Sequence, residues 1–125
     1  MPSRERVQDL ITRVQAGDIL GAFEEFYADD VAMQENANEP TVGKDANRTR
    51  EEAFVASVAR VHENRAASFV VDGDRSAIQW VLDFTGQDGV RRRMDQLAYQ
   101  TWRGDRIVHE RFFYDSAGVV AGAAA

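Results

Sequence analysis

The sequence predicts a single α+β domain in which three N-terminal helices pack on one face of a curved, mostly antiparallel sheet. Two observations lead to this prediction. Apolar residues recur at helical spacing in the first part of the chain, and they alternate with polar residues in stretches separated by tight turns in the remainder. Helices followed by an antiparallel meander bury their apolar stripes against one face of the sheet. Such a sheet is strongly twisted, so we expect a pocket on its concave face.

The predicted helices cover about 4–16, 19–28 and 45–60. Ser3 and Asp18 are suited to cap the first two helices, and Gly17 separates them. The apolar stripes are, in chain order, Val7, Leu10, Ile11 and Val14; Ile19, Phe23, Phe26 and Tyr27; and Phe54, Val58 and Val61.

The rest of the chain is predicted to form strands. A short extended stretch covers 31–35, and the polar run at 36–40 is a loop that Gly43 closes. Longer strands cover 65–71, 76–85, 90–103 and 106–114, with glycine-containing turns between them. The clearest of these strands places Ile78, Trp80, Leu82 and Phe84 on one face. The domain covers 1–116, and we expect the small residues of 117–125 to fray.

Composition argues against several classes of function. Acidic residues outnumber basic ones by 21 to 15, and this net charge of −6 would repel nucleic acid and anionic membranes. The basic run 91–93 is interpreted as a solvated strand end and not as a phosphate site. The chain has no cysteine, which excludes disulfides and thiol catalysis and fits a cytoplasmic location. No apolar stretch approaches the roughly 20 residues that cross a bilayer, and no signal peptide is expected.

Three stretches resemble a known family. They are Ala16-Gly17-Asp18 with the run Phe-Tyr-Ala-Asp-Asp at 26–30, then Val42-Gly43-Lys44, and the terminal hairpin at 99–115. Together they resemble the nuclear-transport-factor-2-like superfamily, in particular its SnoaL-like branch, over 7–115. Because that superfamily includes isomerases, cyclases, dehydratases, hydrolases and non-enzymes, the resemblance is informative about fold and weak on chemistry.

The resemblance implies a cone-shaped barrel, in which a curved sheet wraps a long helix and leaves a pocket at the open end. It also implies a homodimer that packs sheet against sheet. Two sets of side chains are expected to face inward. They are Val108, Glu110, Phe112 and Tyr114 in the last strand, and Met94, Gln96, Ala98, Gln100 and Trp102 in the strand before it.

Glu35 and Glu110 are the candidate catalytic residues. The resemblance places Glu35 where similar ketosteroid isomerases carry their general base, and burial near an apolar pocket can tune a carboxylate for proton transfer. The alternative for Glu35 is an exposed loop acid. Glu110 lies on the inward face, where a buried carboxylate needs a partner or a chemical role. That partner could be Arg48, Arg50 or a glutamine on the neighbouring strand.

Other inward residues are candidates for ligand binding. Gln96 and Gln100 could bind a polar ligand group, or they could satisfy each other or the backbone. Tyr27 and Tyr114 each offer a hydroxyl beside an apolar ring. The remaining candidates for the cavity wall are Phe54, Trp80, Met94, Trp102 and Phe112.

We expect neither a metal ion nor a cofactor. His62 and His109 lie in contexts that match no metal motif, and His109 is expected to face away from the pocket. No glycine-rich loop connects a strand to a helix, which argues against a nucleotide cofactor.

The sequence also departs from the relatives it resembles. The two hydrogen-bond donors that stabilise the enolate in ketosteroid isomerases fall on Leu10 and Ala98, unless a strand shift brings Asp95 into play. Losing one such donor typically costs about a hundred- to thousandfold in rate. The last-strand aspartate of the similar polyketide cyclases and epoxide hydrolases falls on Phe112.

Three functions stay open at this point. The first is acid/base catalysis by Glu35 on a small apolar or cyclic metabolite, of isomerase, cyclase or dehydratase type. The second is binding of such a metabolite without chemistry. The third is a dimeric interaction module whose cone is filled by its own side chains, and a void below about 300 Å³ would favour it.

Overall fold

The computed structural model of the chain, which describes residues 1–119, has three helices, α1 (Arg4–Gln15), α2 (Ile19–Phe26) and α3 (Lys44–Ser57). The six strands are β1 (Tyr27–Glu35), β2 (Thr41–Val42), β3 (Val58–Asp72), β4 (Arg75–Gly86), β5 (Arg91–Arg103) and β6 (Arg106–Phe113).

The strands form one sheet in the order β2-β1-β6-β5-β4-β3. Strands β1 and β6 are parallel, and the other neighbouring pairs are antiparallel. The prediction of an α+β fold with three helices on a curved, mostly antiparallel sheet is therefore confirmed. A short 3₁₀ helix, Ser116–Gly118, follows β6. Of the tail expected to fray, 117–125, the part from 120 onward lies outside the described residues.

Local signals fix the first two helices. Ser3 Oγ accepts from the backbone N–H of Arg6 at 3.0 Å, and Asp18 Oδ1 accepts from that of Gly21 at 3.1 Å. Gly17 between them has a φ of 88°, which suits glycine. The helix stripes and the concave face of the sheet form one core, which includes Val7, Leu10, Ile11, Phe23, Phe26, Val31, Ile78, Trp80, Trp102 and Ile107.

The stripe predicted for the third helix is wrong at its C-terminal end. Helix α3 stops at Ser57, and Val58 begins β3, so this strand starts well before 65. Val61 pairs with Phe84 of β4, and it is 54% exposed. β-branched residues pack well on a pleated surface, and β4 offers a partner along the whole of β3. Strand pairing therefore overrides the helical spacing of Phe54, Val58 and Val61.

Two buried polar side chains hold the start of α3. Asn47 Nδ2 donates to the carbonyl oxygens of Val31, Thr41 and Gly43, at 3.2, 2.9 and 2.9 Å. Lys44, the single lysine of the chain, donates to the carbonyl oxygens of Phe23, Glu24 and Tyr27. These bonds satisfy carbonyl groups at the end of α2 and tie α3 to β1. Strand β2, which the sequence did not predict, lies beside this junction.

The inward assignment of Val108 is also wrong. The pairing of β5 with β6 shifts between Thr101 and Trp102, so Trp102 lies opposite Ile107. Ile107 is fully buried in the core, whereas Val108 is half-buried. Such a bulge adds one residue and changes which side chains face the core.

The basic run at 91–93 is neutralised by acidic neighbours. Arg91 contacts both carboxylate oxygens of Asp83, at 2.9 and 2.8 Å. Arg92 pairs with Asp88 at 2.8 Å, and Arg93 pairs with Glu63 at 3.2 Å. Within residues 1–119, none of the helices has the length and apolar character needed to cross a membrane.

Candidate functional site

A cavity of about 210 Å³ lies between the helices and the concave face of the sheet. We call it the inner cavity. Its wall is mainly apolar, and it includes nine of the eleven residues proposed from the sequence: Tyr27, Glu35, Phe54, Trp80, Met94, Gln96, Gln100, Glu110 and Phe112. The volume is below the roughly 300 Å³ of typical ligand pockets, and by the criterion given above this favours a cone that its own side chains partly fill. It exceeds the roughly 150 Å³ of an engineered cavity that binds benzene, so a small ring with a few substituents fits.

The other two residues lie elsewhere. Trp102 is buried in the core, where its indole N–H donates to Ser76 Oγ at 2.8 Å. Tyr114 lines a second space, the outer groove, of about 660 Å³. Glu35, Phe54 and Met94 line both spaces and thus mark the mouth of the inner cavity.

Glu110 is the central polar group of the inner cavity. Tyr27 Oη donates to Glu110 Oε1 at 2.5 Å, and Gln100 Nε2 donates to Glu110 Oε2 at 2.6 Å. The partner is therefore a glutamine, as one of the alternatives from the sequence had it, together with a tyrosine. Arg48 pairs with Glu24, and Arg50 pairs with Glu35.

Burial raises the pKa of Glu110 from 4.5 to about 7, against the opposing effect of the two hydrogen bonds, which favour the ionised form. Burial and the nearby charge of Glu110 raise the pKa of Tyr27 well above 10, so its hydroxyl keeps its proton at neutral pH. A carboxyl group that titrates near neutral pH can both give and take a proton.

Gln100 connects Glu110 to the core beneath it. Ser76 Oγ donates to Gln100 Oε1 at 2.6 Å, and Ser76 accepts from Trp102. Gln100 and Ser76 are both buried. Gln100 thus orients Glu110, one of the two candidate catalytic residues. It does not pair with Gln96, which lies four residues earlier on β5.

Glu51 is a wall residue that the sequence reasoning missed. It lies on α3, three residues before Phe54, and side chains at this spacing share one helix face. That spacing from a proposed wall residue could have identified it. Burial raises the pKa of Glu51, the charge of Arg50 lowers it, and that of Glu35 raises it.

Glu35 lies at the mouth, at the end of β1. Its side chain is 39% exposed and forms an ion pair with Arg50 at 3.6 Å. Tyr114 lies close by, and its pKa is raised by partial burial and by the charge of Glu35. Glu35 is thus a half-exposed, paired carboxylate at the entrance, while Glu110 occupies the buried end.

The two positions at which the similar ketosteroid isomerases carry hydrogen-bond donors to the enolate are occupied here by Leu10 and Ala98. Leu10 lines the cavity, and Ala98 is fully buried opposite Phe112. Neither can donate a hydrogen bond from its side chain. The histidines are not part of the cavity wall, and His62 instead lies 2.7 Å from Thr85 Oγ1. Among the described residues, no group of three or more histidine, cysteine or acidic side chains has an arrangement that could hold a metal ion.

The sequence profile of the SnoaL-like domain matches residues 4–114. The chain belongs to the SnoaL-like domain family. A candidate SnoaL-like polyketide cyclase from Mesorhizobium loti is 30% identical to this SnoaL-like protein, with a TM-score of 0.80 over 91% of this chain and 100% of that one. None of the curated proteins matches the chain.

More distant structures share the fold of this SnoaL-like protein. A Catenulispora acidiphila protein with a ketosteroid isomerase-like fold, in complex with trimethylamine, is 17% identical with a TM-score of 0.78, over 98% of this chain and 94% of that one. A Mycobacterium tuberculosis epoxide hydrolase is 15% identical with a TM-score of 0.72, over 92% and 84% of the two chains. At these identities the likeness concerns the fold alone.

Proposed function

We propose that this SnoaL-like protein binds a small, largely apolar or cyclic metabolite in the inner cavity and catalyses a proton transfer on it, as an isomerase, cyclase or dehydratase does. The observation that carries the proposal is Glu110, a buried carboxyl group with a pKa of about 7 at the inner end of an apolar cavity. An acid/base group is most effective when its pKa lies near the working pH. The 30% identical relative, a candidate polyketide cyclase, is consistent with a ring-forming reaction.

The roles follow from depth in the cavity. Glu110, with Tyr27, acts on the reacting part of the ligand at the inner end. Glu35, paired with Arg50, serves as the second carboxylate at the mouth. The aromatic and aliphatic wall residues Phe54, Trp80, Met94 and Phe112 contact the apolar body of the ligand. Gln96 orients polar substituents inside the cavity, and Tyr114 orients a substituent that extends through the mouth into the outer groove.

The test begins with a thermal-shift screen of small cyclic ketones, lactones and phenols, followed by NMR detection of conversion. The Glu110→Gln and Glu35→Gln variants are then compared with the wild type. Glu52→Gln is the matched control, since Glu52 is exposed on the same helix as Glu51. The proposal requires that Glu110→Gln abolish conversion and that Glu52→Gln leave it intact. Full conversion by Glu110→Gln contradicts the role of Glu110, and full conversion by Glu35→Gln contradicts that of Glu35.

The second candidate function is ligand binding without chemistry. It is favoured by Leu10 and Ala98, which replace both enolate donors of the similar isomerases. On this alternative the screen finds ligands that stabilise the protein and none that is converted.

We also propose a homodimer that packs through the outer face of the sheet. Leu97, Tyr99 and Phe113 are each 41% exposed there on neighbouring strands. Light scattering of the wild type and of Leu97→Asp tests this, and a monomeric wild type contradicts it. A cytoplasmic location remains a proposal from the cysteine-free composition, to be tested by cell fractionation.

A further inference from the structure

The hydrogen bonds that lead to Glu110 have a single consistent direction. An indole N–H can only donate, so Ser76 Oγ must accept from Trp102 at 2.8 Å. The one proton of Ser76 then goes to Gln100 Oε1 at 2.6 Å. Gln100 therefore points its NH₂ group at Glu110 Oε2, also at 2.6 Å.

The reverse orientation of the Gln100 amide does not fit these neighbours. It would point the NH₂ group at Ser76 Oγ, which already accepts from Trp102. The Ser76 proton would then lose its acceptor in a buried position, where an unmatched donor is costly. The orientation of the Gln100 amide follows from the Trp102 indole, which can only donate. It therefore does not depend on telling the amide nitrogen from the amide oxygen by their coordinates.

This direction determines where Glu110 can carry a proton. Oε2 accepts from Gln100 in both charge states, so a proton on Glu110 makes a hydrogen bond only from Oε1, 2.5 Å from Tyr27 Oη. When Glu110 is ionised, the Tyr27 hydroxyl donates to Oε1. When Glu110 is protonated, Oε1–H donates to Tyr27 Oη, which leaves the Tyr27 proton free to donate to a ligand in the cavity that Tyr27 lines.

We propose that Trp102, Ser76 and Gln100 are positioning residues that keep the Glu110 proton on Oε1 and so make the Tyr27 hydroxyl the donor to an acceptor oxygen of the ligand. This inference rests on the proposed function of the inner cavity, and it adds the chemical class of the ligand. The ligand is a neutral molecule with an apolar ring and a carbonyl-type oxygen.

Few charged groups act on this arrangement. Tyr27 on β1 faces Glu110, and the negative charge of Glu51 on α3 raises the pKa of both groups. Strands β4 and β5 contribute the neutral residues Ser76, Gln100 and Trp102. The other charges on the cavity wall, Glu35 and Arg50, are paired with each other at the mouth. Protonation of Glu110 is thus the change that reverses the Tyr27 hydrogen bond.

The first experiment measures the titration midpoint of Glu110 by carbon-13 NMR of its side-chain carboxyl group. In Ser76→Ala, the Gln100 amide is free to turn its oxygen toward a protonated Glu110, so the midpoint rises by about one pH unit. The matched control is Ser68→Ala. Ser68 Oγ donates to Gln79 Oε1 at 3.1 Å in an exposed pair on the strands β3 and β4. An unchanged midpoint in Ser76→Ala, or an equal rise in Ser68→Ala, overturns the proposal.

A wild-type measurement covers the case in which Ser76→Ala does not fold. The side-chain amide protons of Gln100 must shift with the same midpoint as the Glu110 carboxyl group, because they donate to it in both charge states. If these signals do not titrate together, the proposed direction of the chain is wrong.

The second experiment tests the ligand class with two probes, acetophenone, which has an acceptor oxygen, and ethylbenzene, which has none. Affinity for acetophenone is expected to fall about tenfold between pH 5.5 and 8.5, as one hydrogen bond is lost, and affinity for ethylbenzene to stay constant. In Glu110→Gln the amide NH₂ replaces the proton on Oε1, so binding of acetophenone becomes independent of pH. If both probes bind equally at every pH, the role of Tyr27 is overturned and the proposed cavity function stands. If neither binds, the ligand class and the cavity function both fail, and the NMR midpoints alone decide the hydrogen-bond chain.

Discussion

Replacing Glu110 by glutamine should change how stability depends on pH. The folded protein holds the pKa of this carboxyl group at about 7, against an ordinary value of 4.5. Below pH 4.5 the group is protonated in both the folded and the unfolded states. Between pH 4.5 and 7 the unfolded chain releases the proton and the folded chain retains it, so the free energy of unfolding decreases as the pH rises.

The size of this decrease follows from the shift in pKa. A difference from 4.5 to about 7 corresponds to about 3 kcal/mol of stability that is fully present below pH 4.5 and lost by about pH 7.5. Glu110→Gln cannot titrate, and its amide can accept from Gln100 and donate to Tyr27. The free energy of unfolding of the variant should therefore not show this decrease between pH 4.5 and 7.5.

Urea denaturation at half-unit intervals from pH 4.5 to 8 measures the effect. The quantity compared is the difference in free energy of unfolding between wild type and variant, which removes the titration of all other groups. Glu52→Gln, at an exposed site on α3, is the control. A difference that stays constant with pH to within about 0.5 kcal/mol would refute the raised pKa of Glu110 and the burial argument behind it.

Three further substitutions test the packing that positions the site, each by urea denaturation. Phe26→Ala removes a fully buried ring from the core and should cost about 3–5 kcal/mol. Lys44→Met removes the donor to three carbonyl oxygens at the end of α2 and should cost about 2 kcal/mol. Asn47→Asp places a carboxylate against three carbonyl oxygens and should cost about 3 kcal/mol at pH 7. The last loss should shrink as the pH falls from 7 to 4, because the surrounding carbonyl oxygens favour the protonated carboxyl group and so raise its pKa in the folded protein.

Each of these expectations has a contrary result. A loss below about 1 kcal/mol in Phe26→Ala would mean that the core relaxes around the vacated space. Stability unchanged in Lys44→Met would mean that water replaces the ammonium group at the end of α2. Equal losses at pH 7 and pH 4 in Asn47→Asp would contradict the electrostatic cause.

Much of the fold was predictable because its signals are local. Ser3 and Asp18 cap the helices that they precede, and the spacing of Val7, Leu10 and Ile11 matches their burial in the core. Alternation along β4 identifies its inward face, and glycine-containing turns separate the last strands. A cap or a period of two is decided within a few residues, so a single sequence contains it.

Predictions failed where distant parts of the chain decide the outcome. Val58 and Val61 have helical spacing after Phe54, and they join β3 because β4 pairs with them. The bulge in β6 exchanges Ile107 for Val108 in the core, and it depends on the pairing with β5. Neither the early start of β3 nor the bulge in β6 is signalled by the neighbouring sequence.

The candidate site also has features that the sequence predicts and features that depend on distant parts of the chain. Nine of the residues proposed from the sequence line the inner cavity, and those on β5 and β6 were predicted because the family resemblance assigned the inward faces of these strands, which alternation alone leaves ambiguous. The sequence narrowed the candidate polar groups to carboxylates, amides and tyrosines, since the chain has no cysteine and its two histidines lie in contexts that match no site motif. It did not identify Glu51, whose wall position depends on how α3 lies over the sheet.

Only the tertiary structure decided which carboxylate is buried and what holds it. The Tyr27 hydroxyl reaches Glu110 across 83 positions of sequence, and Ser76 and Trp102 orient Gln100 from two other strand positions. Burial and hydrogen bonding set the proton affinity of a carboxyl group, and both depend on groups that come together only when the sheet closes over the helices.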